Sequence, residues 1–270
     1  MAGNIVQTSS APGLLTSLST SWDLLLAITR RDIRVRYQGT VLSFIWWIAR
    51  PLTLGTVLYF ALGHVLNLRD DVPNYSIFLL SALFPWFWFS SSVQQATGVF
   101  VGNSGLLKKV RFPKLILPLS TVLFNTSQFL LTLPILIGFV LIAGISPSTS
   151  WIIGIPTLIA LQLLLLIGIG TLLATLNVFF RDLGPMVDVA LLLLFYLSAI
   201  IFPLERVPEA FRPFLALNPV APLIDAWRNL FLHGEFLDAA IWPALVFTAV
   251  SVTLALLAFN RLERHFADAL

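Results

Sequence analysis

The segment Phe202-Pro-Leu-Glu-Arg-Val-Pro-Glu-Ala-Phe-Arg-Pro-Phe-Leu-Ala-Leu-Asn-Pro-Val-Ala-Pro-Leu-Ile-Asp-Ala-Trp-Arg-Asn-Leu230 separates the fifth and sixth long apolar stretches of the chain. It is too polar to be a further span and too apolar to be an ordinary loop. Pro208 and Pro222 each suit the first turn of a short helix, because proline has no N–H to lose there and its φ is already helical. Two helical pieces follow, meeting at Asn218-Pro219. Each has about 10 to 12 residues, so each reaches roughly 15 to 18 Å against a hydrocarbon core of about 30 Å. A hairpin of that size over 203–236 dips into one leaflet and returns. Non-helical backbone at such depth is tolerated only where protein or a water-filled cavity surrounds it. The segment therefore predicts a pore, vestibule or gate, with Glu205, Arg206, Glu209, Arg212, Asn218, Asp225 and Arg228 near the outer surface as a movable lid.

Composition sets the class around this segment. Of 270 residues 58% are hydrophobic and only 11% charged, and the mean hydropathy is +0.92; most of the chain must face lipid or other apolar helices. Windows of about 20 residues place spans near 41–66, 75–101, 115–145, 151–180, 186–202 and 241–259. The third and fourth exceed the bilayer, so they tilt, kink at Pro134 or Pro156, or project beyond it. Residues 1–21 lack the basic and small-residue features of a removable signal peptide and read as a flexible tail. The rest, 22–270, forms one membrane domain. The fold class is thus all-α integral membrane, with six transmembrane helices, an N-terminal amphipathic interface helix and a re-entrant hairpin between the last two spans.

Orientation follows from the 16 Lys and Arg residues. Arg30, Arg31, Arg34, Arg36, Lys108, Lys109, Arg111, Lys114, Arg181, Arg261 and Arg264 fall on one side. Arg69, Arg206, Arg212 and Arg228 fall on the other, and Arg50 lies within a span. The positive-inside rule makes both termini cytoplasmic and the hairpin external. The net charge of +3 is explained by this topology and by anionic lipid headgroups rather than by nucleic acid. Absence of cysteine excludes disulfides, thiolate metal sites and a cysteine nucleophile. His64, His233 and His265 are too scattered for a metal site. No Gly-Lys dipeptide occurs, so the phosphate-binding loop of an ATPase is missing.

Two cytoplasmic features carry candidate contacts. On a helical wheel over 22–37, Trp22, Leu25, Leu26, Thr29, Ile33 and Tyr37 share one face while Asp23, Arg30, Arg31 and Arg34 share another. This is an interfacial helix, open to reading as a plain anchor or as a surface gripped by a partner. Asn103-Ser-Gly-Leu-Leu-Lys-Lys-Val-Arg-Phe-Pro-Lys114 reads as a short helix capped by Asn103 or Ser104 and ended by Pro113. Its Leu106, Leu107, Val110 and Phe112 alternate with Lys108, Lys109 and Arg111. Packing on interfacial neighbours and docking of a partner are both open. Arg181 and Asp182 are a second docking point or an ordinary positive-inside turn.

The stretch Arg34-Val-Arg-Tyr-Gln-Gly-Thr-Val-Leu-Ser-Phe-Ile-Trp-Trp-Ile-Ala-Arg-Pro-Leu52 resembles the approach to the first span in type-2 ABC exporter permeases, particularly those for O-antigen, teichoic acid and related polysaccharides. Leu107-Lys-Lys-Val-Arg-Phe-Pro-Lys114, Leu176-Asn-Val-Phe-Phe-Arg-Asp-Leu183 and the 202–230 hairpin agree in order and spacing. The resemblance covers nearly everything after residue 22. It implies a homodimer in the bacterial inner membrane, each subunit paired with a separate cytoplasmic ATP-binding subunit, two copies in all. ATP and Mg would sit on that partner, with no cofactor on this chain. The interface helix and the first cytoplasmic loop would dock the partner, the hairpin would gate the outer end, and lipid-linked polysaccharide would move outward. A small-molecule or drug exporter is the alternative within transport. A membrane enzyme of glycan or lipid synthesis is the alternative outside it, without an evident nucleophile and base.

The resemblance also implies that the first and fifth spans line the passage. Ser43, Trp46, Trp47, Arg50 and Val57 share one sector of the first, and Asp188, Phe195, Ala199 and Phe202 one sector of the fifth. Arg50 at that depth costs about 2.5 to 3.5 kcal/mol if unpaired. It either pairs with Asp188 or snorkels to the inner headgroups. Trp86 is open to a channel or a packing role.

Overall fold

The computed structural model describes residues 25, 29, 42–65, 67–109, 112–203, 218–235 and 241–269. Regular structure among them is helical throughout: α1 Leu42–Leu58, α2 Tyr75–Thr97, α3 Ser104–Lys109, α4 Ile116–Ile142, α5 Ser150–Phe179, α6 Leu183–Leu197, α7 Ala221–His233 and α8 Ile241–Leu262. A wide π turn, Tyr59–His64, continues α1, and one 3-10 turn followed by the short helix Phe266–Ala269 continues α8. Among the described residues, five stretches are long and apolar enough to cross a membrane: Ile45–His64, Tyr75–Thr97, Ile116–Ile142, Ser150–Phe179 and Ile241–His265. In lipid a helix closes its own backbone hydrogen bonds, so such sequences have no cheaper way across.

The spans are not equivalent. In its most apolar window α2 is 78% buried, whereas the first span is 11% buried. The central helix is α2, with α1, α4, α5, α6 and α7 packed on it, while α8 lies chiefly against α5. Pro51, Pro85, Pro134 and Pro156 all lie inside helices that continue through them.

Two expected boundaries are corrected. The fifth apolar stretch, placed at 186–202, is helical from Leu183 and stops at Leu197. Ser198–Phe202 leaves the helix through Ala199 at φ +50°, a left-handed conformation that costs a non-glycine residue about 1 to 2 kcal/mol. The second half of the 203–236 segment does form a helix with Pro222 in its first turn, as its sequence predicts. It ends on Gly234 at φ +72°, whose N–H bonds the Leu230 carbonyl, the usual left-handed helix stop. It is not a surface element, however, since Leu223, Ile224, Trp227, Leu230 and Phe231 have no exposed area. The first half, 204–217, lies outside the described residues.

The tightest helix crossing is between α5 and α8. A Cβ on Gly168 would sit 2.5 Å from Ser251 Oγ and 2.7 Å from the Val252 nitrogen, a distance at which backbone must move. Gly168→Ala should therefore destabilise the purified protein by about 1 to 3 kcal/mol, the usual cost of overpacking. Gly138→Ala, where nothing lies within 4 Å of the added carbon, should leave the thermal midpoint in detergent unchanged. Equal midpoints for the two variants would remove Gly168 as the determinant of this crossing.

Candidate functional site

Polar side chains inside the apolar spans form two groups. In the inner half, adjacent residues of α2 reach opposite neighbours. Gln94 Nε2 donates to Asp188 Oδ1 of α6 at 2.8 Å, and Gln95 Nε2 donates to Asn125 Oδ1 of α4 at 3.0 Å. Asn125 in turn donates to the Thr121 carbonyl at 2.9 Å. Gln94 and Asp188 are exposed on the surface of the single chain.

Arg50 is also exposed, one of a run of α1 side chains that includes Ile45, Trp46, Thr53 and Val57. No ion pair joins it to Asp188 among the described residues, because Asp188 is turned toward Gln94. The exposed row of α6 runs through Met186, Asp188, Val189, Leu192, Leu193 and Tyr196. A charge, a carboxylate and an amide thus stand on faces that the chain's own helices leave uncovered.

The other expected passage residues divide. Trp47 turns inward to Pro51, Phe84, Phe87 and Trp88, around a cavity of about 10 Å³ that Asn125, Gln128 and Thr132 also line. Trp86 is buried with its ring 5.6 Å from Phe195 and 5.8 Å from Phe89. Phe195 and Ala199 are buried as well, and Phe202 half-buried. Trp86, Phe195 and Ala199 are therefore packing residues of the single chain and are not open to a passage in it. The apolar energy of closing an aromatic pair inside the core explains why. The side chain of Ser43 lies outside the described residues.

The second polar group is at the opposite end of α6, where Ser198–Phe202 needs donors for its free carbonyls. Arg228 Nη2 donates to the Ala199 carbonyl at 2.9 Å and to the Ile200 carbonyl at 3.3 Å. Its guanidinium lies 3.6 Å above the Phe78 ring and 3.8 Å from Asp225. Tyr75 Oη donates to the Ile201 carbonyl at 3.0 Å. Asn218 Nδ2 donates to Ser198 Oγ at 2.8 Å while its Oδ1 accepts the Val220 N–H at 2.9 Å. Two helices, α2 and α7, and the turn before α7 thereby clasp one irregular pentapeptide.

A further bracket ties α7 to the core. Trp227 Nε1 donates to Gln162 Oε1 at 2.8 Å, and Gln162 Nε2 donates to the Pro85 carbonyl at 2.9 Å. Trp151 Nε1 reaches the Leu230 carbonyl at 2.8 Å. Two residues of the expected outer lid stand inside the chain and not near its surface. Arg228 is only 4% exposed and Asn218 is buried, because each satisfies backbone or side-chain groups that lipid cannot. Glu205, Arg206, Glu209 and Arg212 lie outside the described residues.

At the end of the bundle that holds α3, Lys108 and Lys109 are exposed, as are Arg181 and Asp182. Leu106, Leu107 and Phe112 are half-buried against a cluster of Phe100, Leu117, Val178, Phe259 and Phe266. Asn103 does not cap α3 with its side chain, which bonds backward to the Val99 carbonyl at 2.8 Å. Leu25 and Thr29, the described residues of the interface helix, are both buried, Leu25 against Ile116 of α4. Arg30, Arg31, Arg34, Val110 and Arg111 lie outside the described residues.

The sequence reading missed Gln162, Tyr75 and Phe266. A lone glutamine amid the leucines of a 30-residue apolar helix is a visible signal, since an amide there must find partners.

Comparison with known proteins comes last. The profile of the ABC-2 type transporter family matches residues 23–232. The O-antigen export system permease protein RfbA of Klebsiella pneumoniae is 38% identical over 258 residues, covering 94% of this chain and 97% of the relative. RfbA of Myxococcus xanthus is 33% identical over 252 residues, 92% of this chain and 95% of the relative. The polysialic acid transport protein KpsM of Escherichia coli is 24% identical over 242 residues, 88% and 92% respectively.

Arg228→Met should destabilise the purified chain by about 2 to 4 kcal/mol, since it removes charged hydrogen bonds to two carbonyls and a buried cation–π contact. Arg228→Lys should fall between the two, keeping the charge but not the fork. Chemical denaturation in detergent measures both, and a wild-type midpoint for Arg228→Met would show that the clasp contributes nothing.

Proposed function

The chain belongs to the ABC-2 type transporter family, and from that premise we propose that it is the membrane-spanning permease of an ATP-driven exporter of lipid-linked polysaccharide. The substrate class follows from relatives named for O-antigen and polysialic acid. The carrying observation in the chain itself is the set of exposed polar groups within the membrane segment: Arg50 on α1, Gln94 on α2 and Asp188 on α6. Lipid cannot satisfy them. A second copy set against these faces would enclose them in a water-filled passage, which supports a homodimer with α1 and α6 at its seam.

The remaining parts of the proposal follow. With α6 as a short sixth span extended by Ser198–Phe202, both termini are cytoplasmic. Two ATP-binding subunits dock from the cytoplasm at the interface helix, at Leu106, Leu107, Lys108, Lys109, Val110, Arg111 and Phe112, and at Arg181 and Asp182. They carry the ATP and Mg, since this chain has no phosphate-binding loop; it holds no cofactor of its own. Closure of the two partners shifts α3 and the interface helix as rigid bodies and changes the packing of α1 and α6 at the seam. The segment after α6 bounds the outer mouth, and membrane lipids surround the rest.

The reading is tested by reconstituting the chain with its ATP-binding subunit in vesicles. Lipid-linked glycan should stimulate ATP hydrolysis and appear at the opposite face; stimulation by amphiphilic drugs and none by glycan would overturn the substrate assignment. Arg50→Leu should express and insert normally yet lower glycan export about tenfold or more, on the scale of losing one charge contact in a passage. If export is unchanged, Arg50 merely snorkels to the inner headgroups.

A further inference from the structure

Beyond α8 the chain makes one 3-10 turn, Glu263–His265, and a short helix, Phe266–Ala269. At about 1.5 Å per residue, the 22 residues of α8 already reach roughly 33 Å, enough for the hydrocarbon core. The turn therefore lies past it, on the side that the functional reading makes cytoplasmic. It is anchored to the bundle.

Phe266 is 1% exposed. Its ring lies 5.0 Å from Phe100, 6.0 Å from Phe259 and 6.1 Å from Phe179. Lys114, just before α4, donates to the Glu263 carbonyl at 3.0 Å, approaches Glu263 Oε1 at 3.8 Å, and lies 5.2 Å over the Phe266 ring. The cluster that receives Phe266 also receives Leu106 and Leu107 of α3 and Phe112 beside it. The turn and α3 are thus seated on one aromatic base made of Phe100 and of residues from α4, α5 and α8.

Charge points outward from that base. Lys108 and Lys109 of α3 are exposed, and so are Arg261 and Arg264 at the end of α8. The one acidic side chain described among them, Glu263, is engaged by Lys114. We propose that the C-terminal turn is the second half of the surface that receives the ATP-binding subunit, fitting an acidic face of that protein. Phe266 makes the turn and α3 one body, so load on either reaches α5 and α8 together. The proposal rests on the functional reading above, in which α3 is a docking element.

The test uses the complete complex, co-expressed and purified in detergent. Arg261→Glu with Arg264→Glu should weaken retention of the ATP-binding subunit about tenfold, and the wild-type complex should loosen as salt is raised, because exposed ion pairs are screened. Lys108→Glu with Lys109→Glu is the reference pair. Loss of retention in both pairs supports the proposal. Loss in the lysine pair alone overturns it and leaves the docking role of α3 standing. Retention in both overturns it together with that role. Wild-type retention by the arginine pair, with weakened binding of the purified chain to vesicles containing phosphatidylglycerol, overturns it in favour of a lipid surface. Phe266→Leu, which keeps the site filled, should preserve ATP hydrolysis by the complex and lower glycan export severalfold; full export with Phe266→Ala and Phe266→Leu alike would exclude the relay.

Discussion

Backbone carbonyls that leave a helix inside a membrane protein need donors that lipid cannot offer. The chain meets this demand at Ser198–Phe202, where Arg228 of α7 and Tyr75 of α2 donate to three carbonyls, while Asn218 in the turn before α7 donates to the Ser198 hydroxyl. Much of the architecture follows from that requirement. For Arg228 to reach Ala199 and Ile200, α7 must lie inside the bundle, and once it does its apolar face has to be covered. Leu223, Ile224, Trp227, Leu230 and Phe231 provide that face, and the amide of Gln162 closes the one polar gap by joining the Trp227 indole to the Pro85 carbonyl. An unsatisfied indole or amide at this depth would cost about 1 to 3 kcal/mol, so the bracket is the least expensive way to dock an aromatic helix against α5.

How far the sequence disclosed this depends on which signal each residue left. Length and hydropathy suffice for the long helices, because about 20 apolar residues admit few alternatives. Pro222 disclosed the start of α7, since proline leaves a local signature. The depth of α7 was hidden. Its Asp225, Arg228 and Asn229 look like a wet face, and only the partners of Arg228, carbonyls 29 and 28 residues earlier, reveal that this side chain is buried. Counting Arg228 among the external basic residues put in solvent a side chain that the structure buries. The same limit applies to Trp86 and Phe195, whose contact joins α2 to α6 and has no local trace.

The basic stub over 103–114 shows the reverse case. Its alternation of leucine and lysine left two readings open, packing or partner. Both halves of the pattern have a place in the structure: Leu106 and Leu107 turn to the aromatic cluster while Lys108 and Lys109 stay in solvent. The apolar residues are accordingly the means by which the stub is held to the bundle, and only the basic ones are free to meet another surface. Phe266 was invisible for a simple reason. A single aromatic residue near a chain end carries no periodicity, so nothing marks it until its neighbours are known.

The uneven packing of the spans has a mechanical consequence. A body of α2, α4, α5, α7 and α8 is locked by aromatic stacking, the Gln162 bracket and the Gly168 crossing. Against it α6 is held at its outer end by buried hydrogen bonds to four consecutive residues. At its inner end its polar tie is the exposed Gln94–Asp188 bond, and exposed bonds exchange readily with water. The buried bonds fix the end of α6 at Ser198, and the Asp188 end is the less firmly tied of the two. That weaker end lies beside Gln94, on the face where the chain's own helices leave polar groups uncovered.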